Sequence, residues 1–235
     1  MIQDLWHLFC RMLVQFAALL YYRPRYFGVP NVPAKGGCLV VSNHQSHLDP
    51  PLVGIGCPRI MAYLARKTLF SNPVFARLIA SLSAIPIDRD GFSIGGIKES
   101  LRRLKRGEML LIFPEGTRTP DGEIQPFRPG FTTLAARAGV PIMPVAIEGA
   151  YHAWPRSTRF PRPAPVHVCF GKPIPAEVVR DCDERELLAE IERRVRQCQQ
   201  QLRAHPAFRQ TRIAGKASVK KALPSAPRAA LLGGR

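Results

Sequence analysis

The chain has 235 residues, 46% of them hydrophobic, enough for one sizeable core with appendages. Lysine and arginine number 34 against 17 acidic residues, and the formal net charge of +17 disfavours a cationic partner. It points to an anionic one: nucleic acid, an acidic lipid surface or a phosphorylated small molecule. The six cysteines, Cys10, Cys38, Cys57, Cys169, Cys182 and Cys198, lack the close pairing of a zinc knuckle or redox dithiol and read as reduced thiols.

From Leu5 to Tyr22 the sequence LWHLFCRMLVQFAALLYY is helical in pattern, with His7, Arg11 and Gln15 forming one polar stripe and apolar side chains elsewhere. At 1.5 Å per residue the run reaches about 27 Å, short of a bilayer crossing, and Arg11 falls near its middle. The expectation is an interfacial or shallowly inserted helix, with Trp6, Tyr21, Tyr22 and Tyr26 at headgroup level. The competing expectation is a helix packed over the core. Asp4 stands where a signal peptide would carry positive charge, which argues against one.

Prolines and glycines mark 26–37 as a connector. Cys38–Val41 reads as a short buried strand that ends at Ser42-Asn43-His44. Residues 59–86 carry a helical pattern broken by Pro73, and Ala84–Ile87 reads as a strand that Pro86 confines to an edge. A helix over 93–106 stops at Gly107. Met109–Phe113 is the clearest buried strand, followed by Pro114-Glu115-Gly116-Thr117-Arg118. A helix over 131–138, strands over 142–147 and 166–170, and a surface helix over 184–201 complete the pattern. Strands alternating with helices imply an α/β fold: a single catalytic domain with a central, mostly parallel or mixed sheet flanked by helices, plus the N-terminal membrane-associated helix. The expected organisation is 1–28 amphipathic helix, 29–203 catalytic domain and 204–235 basic tail. Residues 205–235 carry no acid and too little apolar surface to offset ordering, so the tail reads as disordered and suited to an acidic membrane.

Polar residues collect where two strands end, the usual ligand position in open α/β sheets. His44 and Asp49 are spaced for contact across a loop and the first turn of a helix, where a carboxylate holds an imidazole in one tautomer for proton transfer. His44, His47 and Asp49 also suit a zinc site, and a capping or core role for His44 stays open on spacing alone.

The combination of segments carries more. Asn43-His44-Gln45-Ser46-His47-Leu48-Asp49 resembles the Asn-His-x-Ser-x-x-Asp block of the glycerolipid acyltransferase family, most closely the 1-acyl-glycerol-3-phosphate acyltransferases. Ile85-Pro86-Ile87-Asp88-Arg89 resembles its second block, Phe113-Pro114-Glu115-Gly116-Thr117-Arg118 its third, and Val140-Pro141-Ile142-Met143-Pro144-Val145 its fourth, all in family order. Pro86 departs from the more usual aromatic or aliphatic residue.

The resemblance implies transfer of a fatty acyl group from acyl-CoA or acyl-carrier protein to the 2-hydroxyl of 1-acyl-glycerol-3-phosphate. His44 would be the general base and Asp49 its orienting partner, with no metal and no tightly bound cofactor. Arg89, Arg118 and Lys67 would hold the acceptor phosphate. Glu115 would contact substrate or brace an arginine, Gly116 would let backbone approach, and Thr117 would cap the turn. The stripe from Leu69 to Leu82 either lines an acyl groove or packs as an ordinary helix face. The expected setting is the cytoplasmic face of the inner membrane, against an anionic surface and without nucleic acid. Glycerol-3-phosphate or another lyso-lipid as acceptor, a nucleic-acid-binding protein and a zinc hydrolase remain the alternatives.

Overall fold

Two apolar runs, CLVVS and MLLI, lie side by side at the centre of a seven-stranded sheet in a computed structural model that describes residues 2–87 and 94–206. They are β2 (Cys38–Ser42) and β5 (Met109–Ile112), parallel and in register from Cys38 opposite Met109 to Val41 opposite Ile112. On one side β3 (Met61–Arg66) and the edge strand β4 (Ala84–Ile87) continue the sheet. On the other stand β6 (Ile142–Glu148), β7 (His167–Phe170) and β1 (Arg25–Phe27), giving the order β1-β7-β6-β2-β5-β3-β4. Among the described strands β7 against β6 is the antiparallel pair, so the sheet is mixed.

Helices cover both faces, which is why the central strands are apolar on both sides rather than alternating with polar residues. Leu39, Val41, Leu110 and Ile112 point to one face, beneath α4 (Ile94–Lys105), α5 (Phe131–Ala138), α7 (Ala176–Asp181) and α8 (Glu184–Ala204). Val40, Leu111, Met143 and Val145 point to the other, beneath α1 (Ile2–Tyr21), α2 (Asp49–Gly56) and α6 (Ala150–Ala153). The helix α3 (Pro73–Ser81) is a smaller element beside β4, opened by Asn72, whose carboxamide oxygen accepts from the amides of Val74 and Phe75.

Two expectations change. Residues 61–66 form β3, not helix, because β5 pairs with 61–63 and β4 with 63–66, so that every residue of a run whose own punctuation is weak gains a strand partner. The connector holds a short strand, β1, paired with β7, and Tyr26 packs its ring over Gly56 in the core instead of at a headgroup level. The basic tail beyond residue 206, where a disordered segment is expected, lies outside the described residues.

In α1 the polar stripe turns inward. Arg11 and Gln15 both donate to the carbonyl of Ile55, at 2.9 and 3.3 Å, while Trp6 donates its indole N–H to Ser81 at 2.9 Å. Cys10 and Ala18 are the buried positions, and the outer side presents Leu8, Phe9, Met12, Leu13, Phe16, Leu19 and Leu20. Among the described residues no helix is long and apolar enough to cross a membrane.

Leu110, fully buried on β5, tests the central packing. Leu110→Ala is expected to destabilise the fold by about 2–5 kcal/mol, read as a lower urea midpoint with an unchanged slope.

Candidate active site

Strand β2 ends at Ser42, and the next seven residues turn into α2 around one carboxylate. Asp49, the first residue of that helix, is buried; its Oδ2 accepts from the backbone amides of Gln45 and Ser46, the latter at 2.7 Å. The same oxygen meets Nδ1 of His44 at 2.8 Å. Sharing one acceptor among these donors sets both the turn and the imidazole, and it leaves Nε2 as the ring nitrogen without a claim from Asp49. The His44 side chain is 19% exposed, so the ring opens to solvent at one edge.

The neighbouring strand supplies the ring's other supports. Phe113, the residue after β5, stacks on His44 with centroids 4.1 Å apart and planes 19° from parallel. Glu115 accepts from the His44 backbone amide at 2.8 Å and from that of Gln125 at 3.3 Å, and the Thr119 amide donates to the His44 carbonyl at 2.8 Å. From the β6 side, Ile147 exchanges a pair of hydrogen bonds with the Asn43 carboxamide, 2.9 and 3.0 Å long, as though Asn43 extended the β2–β6 ladder. Three strand ends therefore fix one histidine from three directions.

Glu115 is thus a brace beneath the site. Burial pushes its carboxyl up to about 7, partly offset by the two amides that bond it. Gly116 follows with φ +70°, and a Cβ there would lie 2.9 Å from the Arg128 guanidinium carbon, so the turn requires glycine. Thr117 accepts from Arg156 at 3.4 Å rather than capping the turn. His47 lies edge-on to Trp154, and partial burial with the adjacent Arg118 and His44 pushes its imidazole down to about 4. His44, His47 and Asp49 do not converge as a ligand set, and among the described residues no group of three or more His, Cys, Asp or Glu does so.

Arg118 lies beside this loop, where partial burial, and then Arg156 and Arg66, depress its guanidinium below the ordinary range against the opposing pull of Asp49. Among the described residues none of these three arginines is ion-paired to a carboxylate, which leaves a concentrated positive field beside His44. Arg66 also donates to the Gly116 carbonyl at 3.4 Å. It closes β3, the strand between β5 and β4, and went unnoticed in the sequence because 59–86 reads as helix. Lys67 follows it, exposed at the start of a short turn. Arg89 lies outside the described residues. The strand that precedes it in the chain, β4, lies three strand positions from β2, roughly 14 Å across the sheet. Leu69, Val74, Phe75 and Leu78 are exposed.

Residues 23–148 match the family model described as Acyltransferase, more than half of the chain. A 1-acyl-sn-glycerol-3-phosphate acyltransferase of Pseudomonas aeruginosa is 32% identical over 176 residues, 73% of this chain and 66% of that protein. A chloroplastic one from Brassica napus is 29% identical over 173 residues, 72% of this chain, which spans about half (50%) of that relative's length. The crystal structure of the 1-acyl-sn-glycerophosphate acyltransferase from Thermotoga maritima superposes with a TM-score of 0.75 at 27% identity, covering 86% of this chain and 82% of that one.

The raised Glu115 carboxyl has a definite sign in stability. Between the ordinary carboxylate range and about 7 the folded state holds a proton that the unfolded chain releases, so stability falls as pH rises through that window. Glu115→Gln removes the titration; the mutant-minus-wild-type difference in urea stability is expected to change by on the order of 3 kcal/mol between about pH 5 and about pH 8, and a flat difference contradicts this reading.

Proposed function

Because the chain belongs to the acyltransferase family, we propose that it transfers a fatty acyl group from the thioester of acyl-CoA or acyl-carrier protein to the 2-hydroxyl of 1-acyl-glycerol-3-phosphate, giving phosphatidic acid. The observation that carries the reading is the 2.8 Å contact between Asp49 and His44 Nδ1 beside arginines that, among the described residues, form no ion pair with a carboxylate. His44 Nε2 takes the proton of the acceptor hydroxyl as its oxygen forms a bond to the thioester carbonyl carbon. The carbon–sulfur bond then breaks, and the thiolate leaves with the proton returned by the imidazolium. Asp49 keeps the ring in the tautomer that presents Nε2 as acceptor and offsets the charge the ring acquires. No acyl-enzyme is required, since the acceptor oxygen attacks the thioester carbonyl directly.

The amides of Gln45 and Ser46 are spent on Asp49, so they do not serve the developing oxyanion. Arg118 meets the acceptor phosphate, with Arg66 and Arg156 reinforcing it and Lys67 and Arg89 completing the basic rim. The apolar outer face of α1 lies in the lipid interface at the cytoplasmic side of the inner membrane, bringing a lyso-lipid acceptor to the site laterally.

His44→Ala is expected to cut kcat by about 100- to 10,000-fold with folding preserved, and Asp49→Asn to cost at least about 100-fold, in a labelled acyl-CoA transfer assay; near wild-type transfer by either eliminates this chemistry. In the same assay Arg118→Gln should raise KM for lysophosphatidate at least about tenfold while leaving that for acyl-CoA little changed. Replacing Phe9 and Phe16 by Glu should abolish sedimentation with anionic vesicles, and retained sedimentation contradicts the interfacial role of α1.

A further inference from the structure

The last turns of α8 lie beyond residue 148, where the family match ends, yet they reach the loop that supports His44. Arg203 donates through Nε to Glu148 Oε2 at 2.9 Å, through Nη1 to Glu123 at 2.9 Å and through Nη2 to the Gly122 carbonyl at 3.4 Å. Gln199 donates to the same Glu148 oxygen at 2.8 Å. Glu148 closes β6 and is almost wholly buried.

The path from there to the site is short. Gln45, the residue after His44, is buried; its Nε2 donates to Gly122 O at 3.0 Å and approaches Glu148 Oε2 at 3.5 Å, while its Oε1 accepts from the Tyr151 amide at 3.2 Å. Gly122 in turn donates its amide to Thr119 Oγ1 at 3.1 Å, and Thr119 N is the donor to the His44 carbonyl at 2.8 Å. Gln45 N is also one of the amides on Asp49. Both backbone supports flanking the imidazole are thus tied to one buried carboxylate, and that carboxylate to one guanidinium.

We infer that Arg203 is a positioning residue for the proton transfer proposed at His44, acting through Glu148, Gln45 and the 119–123 loop. The inference rests on that functional reading but concerns a different part of the chain. Around Glu148 the charged neighbours are Arg203 from α8 and Glu123 from the loop; His167, its register partner on β7, is a titratable group that burial holds towards the neutral form, and the side-chain amides of Gln45 and Gln199 are neutral. Burial and Glu123 raise the Glu148 carboxyl while Arg203 lowers it. With Arg203 gone the carboxyl rises further and takes a proton towards acid pH. The charged acceptor that Gln45 and Gln199 share is then lost.

The test compares Arg203→Gln, Arg203→Lys and the double variant Glu148→Gln/Arg203→Gln in the full chain, from about pH 6 to about pH 9, with thermal unfolding as a check on folding. Arg203→Gln should lower kcat about tenfold near neutrality with both KM values within about twofold, and its deficit relative to wild type should deepen as pH falls. Arg203→Lys should recover most of the loss. In the double variant the deficit should no longer vary with pH, because the titrating group is gone. A folded Arg203→Gln with wild-type kcat, or a deficit flat with pH and not relieved by lysine, overturns the inference. Should the wild-type chain transfer no acyl group, it is the functional reading that fails. The relay is then read from the ¹⁵N spectrum of the His44 ring, assigned with His44→Ala: Arg203→Gln should exchange-broaden it at acid pH, and an unchanged spectrum overturns the relay.

Discussion

A single carboxylate oxygen organises the site. Asp49 Oδ2 collects two backbone amides and an imidazole nitrogen inside the first turn of α2, in a position hidden from water. A buried anion is costly unless its lone pairs are occupied, and the helix N-terminus adds a favourable field. The turn from β2 into α2 and the orientation of His44 are therefore one structural event: the chain cannot fill Oδ2 of Asp49 without also aiming the ring, while Oδ1 is buried without a hydrogen-bond partner among the described residues. This coupling turns a loop residue, ordinarily mobile, into a rigid one.

The sheet determines what surrounds that ring. Because β2 lies between β5 and β6 with all three parallel, their carboxyl ends open on the same side, and segments distant in sequence meet there. Phe113 and Glu115 come from beyond β5, while Asn43 reaches the backbone of β6. The positive field follows from the same arrangement, with Arg66 at the end of β3 and Arg118 in the loop after β5. The apolar strands carry no chemistry themselves, but their register decides which loops become neighbours.

Much of this was legible in the chain. Cys38–Val41 and Met109–Phe113 announced themselves by unbroken apolar runs bounded by polar clusters, and the His44 to Asp49 spacing allowed a contact that the structure makes. Residues 61–66 were not legible, because an alanine-rich run satisfies a helical period as well as a strand, and only the ladders to β5 and β4 decide between them. Arg66 was hidden by that ambiguity. Glu115 read as a substrate contact or a brace for an arginine, because its backbone partners, His44 and Gln125, are fixed only in three dimensions. Arg156 and Arg203 sit in stretches where basic residues are common, and nothing in their spacing separates a site residue from a solvated one.

The inverted amphipathicity of α1 makes its attachment sensitive to its surroundings. Arg11 and Gln15 tether it to Ile55 by hydrogen bonds, while most of its apolar area faces outward. In water such tethers compete with solvent and add little. Any low-dielectric medium that covers Phe9, Met12 and Phe16 also excludes that competitor, and the same two bonds then hold more firmly. Under such a cover the helix would grip the body of the protein harder than it does in water.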